Sequence, residues 1–145
     1  MLTLRAWKEA EEAELVQRLF ADPLVAQYLP WQIGSLAEAE AWVAAKRGGE
    51  TLAIALDDRA IGFVGVVQPH KDAEIEVGYV LERAAWGHGY ASAALALRLA
   101  ALPRPIVAYT DPANIASQRV LLRNGFERVA TTVHRGQPRI KLMKT

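Results

Sequence analysis

The sequence predicts one three-layer α/β (or α+β) domain over residues 1–145, with a mixed sheet of about seven strands flanked by about four helices. Segments with period-two alternation or many β-branched residues recur along the chain. Segments with a helical period separate them, and no repeat or linker divides the sequence. The predicted order is β α α β β β α β α β β, with one β–α–β–α unit between antiparallel strands.

Capping and breaking residues set the elements of the first half. Asp22-Pro23 stops an amphipathic helix that carries acidic residues in its first turns, where the helix dipole favours them. Ser35 with Glu38 three positions later forms a capping box for a second helix, which Gly48-Gly49 ends. The predicted elements are a strand at 2–6, helices at 8–21 and 36–47, and strands at 51–56 and 61–67 joined by a turn at 57–60.

The second half begins after a turn predicted over 68–73. Asp111-Pro112 is a good N-cap and first-turn pair for the last helix, and Asn124-Gly125 ends that helix. The predicted elements are a strand at 74–81, a helix up to 101, a strand at 106–110, a helix at 113–123, and a hairpin of 126–133 and 139–143.

Composition excludes several classes of function. A net charge of +1 gives no indication of nucleic acid or of a membrane surface as a partner. The absence of Cys excludes a thiol nucleophile, a disulfide framework and a thiolate metal site. His70 and His134 show no metal-ligand spacing, so no metal is expected. With no apparent signal peptide, the expected location is the cytoplasm, as a monomer or a homodimer.

The stretch from Glu74 to Ala101 is the most informative part of the sequence. An alternating strand enters the turn Trp86-Gly87-His88-Gly89-Tyr90-Ala91, and an Ala/Leu-rich helix follows. A glycine-rich turn that opens a helix presents unpaired backbone N–H groups at the positive end of the helix dipole. This corner is suited to a phosphate, although many αβ turns use glycine for steric reasons alone.

Several motifs together resemble the GNAT N-acetyltransferase superfamily, closest to the Rim-type branch that acetylates protein N-termini. The motifs are Asp22-Pro23 through Leu29-Pro30-Trp31, Glu76-Val77-Gly78-Tyr79, Trp86 through Ala91, Asn114-Ile115-Ala116-Ser117, and Val120-Leu121 through Asn124-Gly125-Phe126. None is diagnostic alone, but their order along the chain matches the family.

The resemblance implies acetyl-CoA as the co-substrate. Its pyrophosphate would rest on the backbone amides of Trp86, Gly87, His88, Gly89, Tyr90 and Ala91. The family pattern has Gln or Arg three residues before the first glycine, whereas this chain has Ala84 there and Arg83 one place earlier. The backbone cradle is expected to hold the pyrophosphate without that side chain. The His88 side chain either adds charge near the pyrophosphate or is an exposed turn residue, and we favour the second interpretation.

The resemblance also implies the catalytic residues. Glu76 matches the family's strand glutamate and is the candidate base, the alternative being a solvent-facing strand residue like Glu74. Ser117 would donate a proton to the departing thiolate. Asn114 would hold the pantetheine, although both residue types also cap helices. A backbone N–H near Val80 or Leu81 would polarise the thioester carbonyl, and Tyr79 and Tyr109 are other hydroxyls in range.

A primary amine is the implied acceptor, and an N-terminal α-amine is the least demanding. With a pKa near 8, about a tenth is neutral at pH 7, at a cost of roughly 1.4 kcal/mol, against roughly 4.6 kcal/mol for lysine. Tyr28, Trp31 and Trp42 lie in the segment that walls the acceptor pocket in relatives, and are equally compatible with a core role. A small-molecule acceptor (amino acid, polyamine or antibiotic) and a non-catalytic acetyl-CoA sensor are the alternatives. A Rossmann fold is a poorer match, because the glycines follow the fourth strand.

Overall fold

A computed structural model describes residues 1–29, 31–67 and 74–145, without the side chain of Glu9. The strands are β1 (Leu2–Arg5), β2 (Thr51–Leu56), β3 (Arg59–Val66), β4 (Ile75–Leu81), β5 (Ile106–Thr110), β6 (Glu127–His134) and β7 (Gln137–Lys144). The helices are α1 (Glu9–Ala21), α2 (Pro23–Ala26), α3 (Leu36–Lys46), α4 (Tyr90–Leu99) and α5 (Ile115–Arg123), and a 3₁₀ turn covers Arg83–Ala85. The predicted turn over 68–73, with His70, lies outside the described residues.

The seven strands form one mixed sheet in the order β1-β2-β3-β4-β5-β7-β6. All neighbouring pairs are antiparallel except β4 and β5. That parallel pair joins only Ile75 to Ile106 and Glu76 to Val107. The rest of β4 has no partner in β5, so the sheet opens between these two strands beyond Glu76. We call this gap the central opening.

The helices cover the sheet in two separate layers. One core joins α1 and α3 to β2 and β3 and includes Val80 of β4; the other joins α4 and α5 to β4 and β5 and includes Val77 and Leu81. Successive strand side chains point to opposite faces. Glu76 therefore lies on the same face as Val80, and Tyr79 on the same face as Leu81. These are called the Glu76 face and the Tyr79 face below.

The predicted fold class, strand number and mixed sheet are confirmed. The fifth helix is the single turn α2, where the sequence shows only a short apolar segment. Asp22 ends α1 and also caps α2, because its carboxylate accepts a hydrogen bond from the Leu24 N–H at 3.1 Å.

Three local predictions are wrong. Asn114 caps α5, its side chain accepting from the Ser117 N–H at 3.2 Å, and Asp111 instead closes a turn by accepting from the Ala113 N–H. The turn predicted at 57–60 and the turn between the hairpin strands predicted at 126–133 and 139–143 both have only two residues. Asp57, Asp58 and Arg135 have positive φ in these turns, a conformation that matches the twist of a tight hairpin.

Candidate active site

Strand β4 exposes backbone groups along the central opening. The Val67 N–H donates to the Glu76 carbonyl, and the Glu82 N–H donates to the Ile61 carbonyl, with an unbroken register between them. Because bonding directions alternate along an antiparallel strand, the even-numbered residues of β4 bond to β3. The N–H groups of Tyr79 and Leu81 therefore point into the opening. This geometry favours Leu81 over Val80 as the N–H donor.

The glycine turn follows β4 and the 3₁₀ turn. Gly87 has φ 80° and Gly89 has φ 78°, which is the left-handed region that glycine adopts most readily. A Cβ atom at either position would meet nothing within 4 Å. Glycine is therefore favoured here by the backbone conformation and not by close packing of protein atoms. The space beside the turn is open.

The first turn of α4 adds unpaired donors at this point. Its first helical bond runs from the Ala93 N–H to the Gly89 carbonyl, and no side chain caps the helix. The N–H groups of Tyr90, Ala91 and Ser92 precede that bond and have no carbonyl partner within the helix. Several amides and the positive end of the helix dipole thus face the open space beside the glycines.

Aromatic side chains shape the turn. The Trp86 indole donates to the Leu81 carbonyl at 3.0 Å, which fixes the turn against the end of β4, although the residue as a whole is 43% exposed. The exposed His88 ring stacks on Tyr90 with centroids 5.3 Å apart. His88 is therefore an exposed residue in contact with its own helix.

Arg83 is engaged elsewhere and does not replace the missing polar residue at Ala84. Its guanidinium makes a two-pronged ion pair with the Asp22 carboxylate at 2.9 and 2.7 Å. This hydrogen-bonded pair raises the pKa of Arg83 and lowers the pKa of Asp22. The pair ties the α1–α2 junction to the segment just before the glycine turn.

A hydroxyl pair lies on the Tyr79 face. The Tyr79 hydroxyl is 2.9 Å from the Ser117 hydroxyl and 3.3 Å from the Ser117 carbonyl oxygen, in the first turn of α5. Burial raises the pKa of the Tyr79 phenol to about 12, with its hydrogen bond to Ser117 opposing the shift. The phenol therefore keeps its proton at neutral pH. When the Tyr79 O–H donates to the Ser117 hydroxyl oxygen, the proton of that Ser117 hydroxyl is free for another acceptor.

On the Glu76 face, the Glu76 carboxylate contacts two basic side chains. Glu76 Oε1 is 3.0 Å from His134 Nε2 and 3.5 Å from Arg135 Nη2, both at the end of the β6–β7 hairpin. The His134 ring is stacked on Tyr109 of β5, with centroids 3.6 Å apart and planes within 5°. The Glu76 side chain is 19% exposed and that of His134 is 12% exposed. Glu76 is thus a shielded, oriented carboxylate and not a freely solvated strand residue.

The three aromatics of the N-terminal segment occupy different environments. Trp42 contacts Trp7 edge-on and Phe63 at a tilt, and it is partly buried against the core that contains both. Trp31 packs on Phe20 at 5.8 Å and is 40% exposed. The Tyr28 hydroxyl donates to the Ala113 carbonyl at 3.4 Å, which brings Tyr28 next to the loop before Asn114. Trp42 therefore packs against the core, and Tyr28 is the one of the three in contact with the loop before Asn114.

Sequence reasoning missed His134 and Arg135. They lie 58 and 59 positions from Glu76, on a hairpin that shares no motif with β4. Within the described ranges, no group of three or more His, Asp or Glu side chains is arranged to hold a metal ion. No helix in the same ranges is long and apolar enough to span a membrane.

Comparisons with known proteins agree with this architecture. A family model described as the acetyltransferase (GNAT) domain matches residues 1–127. An acetyltransferase of the GNAT family from Bacillus anthracis superposes with a TM-score of 0.83 at 20% identity, over 98% of this chain and 92% of that one. RimL, a ribosomal L7/L12 α-N-protein acetyltransferase in complex with coenzyme A, gives 0.80 at 20% identity, over 98% and 91%.

A third structure extends the range of acceptors among the neighbours. The aminoglycoside acetyltransferase AAC(6')-Ib, in complex with coenzyme A and kanamycin, superposes with a TM-score of 0.79 at 17% identity, over 100% of this chain and 95% of that one. None of the curated proteins compared with the chain matches it in sequence. The neighbours at this identity establish the fold, and the family model covers most of the sequence. The chain belongs to the GNAT family of acetyltransferases.

Proposed function

We propose that this protein transfers the acetyl group of acetyl-CoA to a primary amine, and that its acceptor is a protein or peptide N-terminal α-amine. The observation that carries the proposal is the placement of polar groups on both faces of β4. Glu76 lies on one face, the Tyr79–Ser117 pair lies on the other, and the central opening runs between them. A reaction in the opening would have a base on one side and a proton donor on the other.

The glycine turn suits the phosphate end of acetyl-CoA. The space beside Gly87 and Gly89 is open, and the first amides of α4 have no helical partner, so a pyrophosphate there would gain hydrogen bonds and the helix dipole. The Trp86 N–H is already bonded to the Arg83 carbonyl at 3.0 Å, so it does not contribute. Asn114, at the start of α5, would contact the pantetheine arm as it enters the opening. Its side-chain oxygen already caps α5, so the contact falls to its amide N–H₂ group.

The chemistry assigned to the residues is direct transfer from thioester to amine. The amine nitrogen bonds to the acetyl carbon as the carbon–sulfur bond breaks. Glu76 takes the proton that the nitrogen loses, and the Ser117 hydroxyl, backed by Tyr79, donates a proton to the sulfur. The Leu81 N–H supports the carbonyl oxygen as negative charge develops on it.

Charge on the Glu76 face favours an acceptor with a single amine over a polycation. Glu74 pairs with Lys141 at 2.8 Å, and Asp111 pairs with Arg139 at 3.4 Å. Glu76 pairs with the hairpin tip. Each of these carboxylates is already compensated by a group from β6 or β7. A polyamine or aminoglycoside would have to displace these partners, whereas a peptide α-amine needs only one base.

A panel of acceptors tests this proposal. Release of free CoA from acetyl-CoA is measured with short peptides, the same peptides with a blocked α-amine, a polyamine, single amino acids and an aminoglycoside. We expect turnover with the free peptides and none with the blocked ones. Turnover confined to the polyamine, amino acid or aminoglycoside would refute the peptide assignment and favour the small-molecule alternative. Tight acetyl-CoA binding without any turnover would favour a sensor.

A further inference from the structure

The His134 side chain, at the end of β6, is held in place by ring stacking and burial. Its ring lies flat against Tyr109 with a 5° interplanar angle, and its side chain is 12% exposed. The hairpin turn that carries it has only two residues, Arg135 and Gly136, both with positive φ. Tyr109 and Lys141 are paired across β5 and β7, and the Lys141 Nζ lies 5.9 Å from the centre of the Tyr109 ring on which His134 stacks.

We propose that His134 is a positioning residue for the acetyl transfer: it donates its Nε2–H to Glu76 and aims the carboxylate at the acceptor amine. The proposal rests on the proposed function, in which Glu76 is the base. His134 itself contacts neither the amine nor acetyl-CoA; it acts through Glu76.

Two contacts compete for His134 Nε2, and the proposed role requires one direction of hydrogen bonding. His134 Nε2 lies 3.0 Å from Glu76 Oε1 and 3.2 Å from Arg135 Nε. A single ring nitrogen cannot donate to the carboxylate and accept from the guanidinium at the same time. In the proposed arrangement the proton is on Nε2, because Glu76 Oε1 is the nearer of the two groups and an ionised carboxylate can only accept. Arg135 Nε then does not donate to the ring, and its guanidinium contacts Glu76 through Nη2 at 3.5 Å.

Both hairpin residues contact the same carboxylate oxygen. His134 and Arg135 approach Oε1, and neither contact uses Oε2. Fixing one oxygen leaves the other at a defined position, and a base placed within hydrogen-bond reach of its proton is what general-base catalysis requires. Because the His134 ring is stacked and the Arg135 side chain is 45% exposed, His134 provides the firmer of the two contacts.

A double-mutant cycle with Glu76 tests this role. We expect His134→Leu to lower kcat by about tenfold to a hundredfold, the usual effect of losing a hydrogen bond to a charged group. The KM for acetyl-CoA stays unchanged, because the glycine turn is not involved. His134→Gln keeps an N–H donor and recovers most of the rate. In a Glu76→Gln background, His134→Leu has almost no further effect, because the group it positions is gone.

The other outcomes of the cycle are equally informative. An equal loss from His134→Leu in both backgrounds, or a His134→Gln variant as slow as His134→Leu, would overturn the proposal. A Glu76→Gln enzyme with the full wild-type rate would remove the base assignment as well, so the two failures are distinguishable. Should His134→Leu unfold, His134→Asn replaces it in the cycle, because its amide is too short to reach Oε1. Val133→Thr, a 71% exposed neighbour, is the matched control and should behave as wild type.

Discussion

Replacing Gly89 with valine separates the ligand-binding role of the glycine turn from its conformational role. Gly89 has φ 78°, and a Cβ there meets no protein atom within 4 Å. Gly48, just after α3, has φ 72° and the same open surroundings. Gly48→Val is therefore a matched control, with the same backbone conformation far from the proposed pyrophosphate.

The expected magnitudes follow from this match. A left-handed conformation costs an L-residue roughly 1–2 kcal/mol, so both variants should lose about that much free energy of unfolding. Only Gly89→Val also disturbs the amides of Tyr90 and Ala91. Losing one hydrogen bond to a charged phosphate oxygen costs about 1.5–3 kcal/mol. The Kd for acetyl-CoA should therefore rise at least about tenfold in Gly89→Val, and stay unchanged in Gly48→Val.

Two measurements on each variant check this reasoning. Urea unfolding gives the free energy of unfolding, and titration calorimetry with acetyl-CoA gives the Kd. A folded Gly89→Val variant that binds acetyl-CoA as tightly as the wild type would refute the placement of the pyrophosphate. A Gly48→Val variant that also binds acetyl-CoA more weakly would show that backbone strain alone explains the loss of affinity.

The remaining predictions concern Tyr79→Phe. The Tyr79–Ser117 hydrogen bond is lost, so kcat should fall roughly tenfold with little change in the KM for acetyl-CoA, as measured by CoA release; an unchanged kcat would remove Tyr79 from the donor pair. Because burial raises the pKa of Tyr79 to about 12, the unfolded chain loses this proton first as pH rises above about 10. Wild-type stability should then fall by about 2 kcal/mol more than that of Tyr79→Phe between pH 10 and 12, as measured by denaturant unfolding, and parallel curves would contradict this.

The sequence predicted those parts of the site that depend on local patterns. The alternation from Glu74 to Leu81 predicted the strand that carries Glu76, and the paired glycines predicted a turn that opens a helix. Both signals act over a few residues, where backbone sterics and burial decide the structure. The order of elements followed in the same way and was sufficient for the fold class.

Long-range contacts were beyond sequence reasoning. His134 reaches Glu76 because a two-residue turn ends the β6–β7 hairpin over β5, and no pattern near either residue encodes that approach. Asp111 was assigned as the cap of α5 because Asp-Pro is a common helix start. In the structure an Asx turn occupies it, and Asn114 caps the helix. Asp and Asn side chains can each cap a helix or close a turn, so the local pattern did not decide which of the two residues caps α5.

The comparison of Glu76→Gln with Glu74→Gln tests the central claim most directly. Both carboxylates come from the same face of the sheet, and both pair with the β6–β7 hairpin. With a free peptide as acceptor, Glu76→Gln should lower kcat about a hundredfold or more, as expected for the loss of a general base. Glu74→Gln, which removes only an ion pair, should stay within a factor of about three of the wild type. Equal kcat values for the two variants would contradict the assignment of Glu76 as the base.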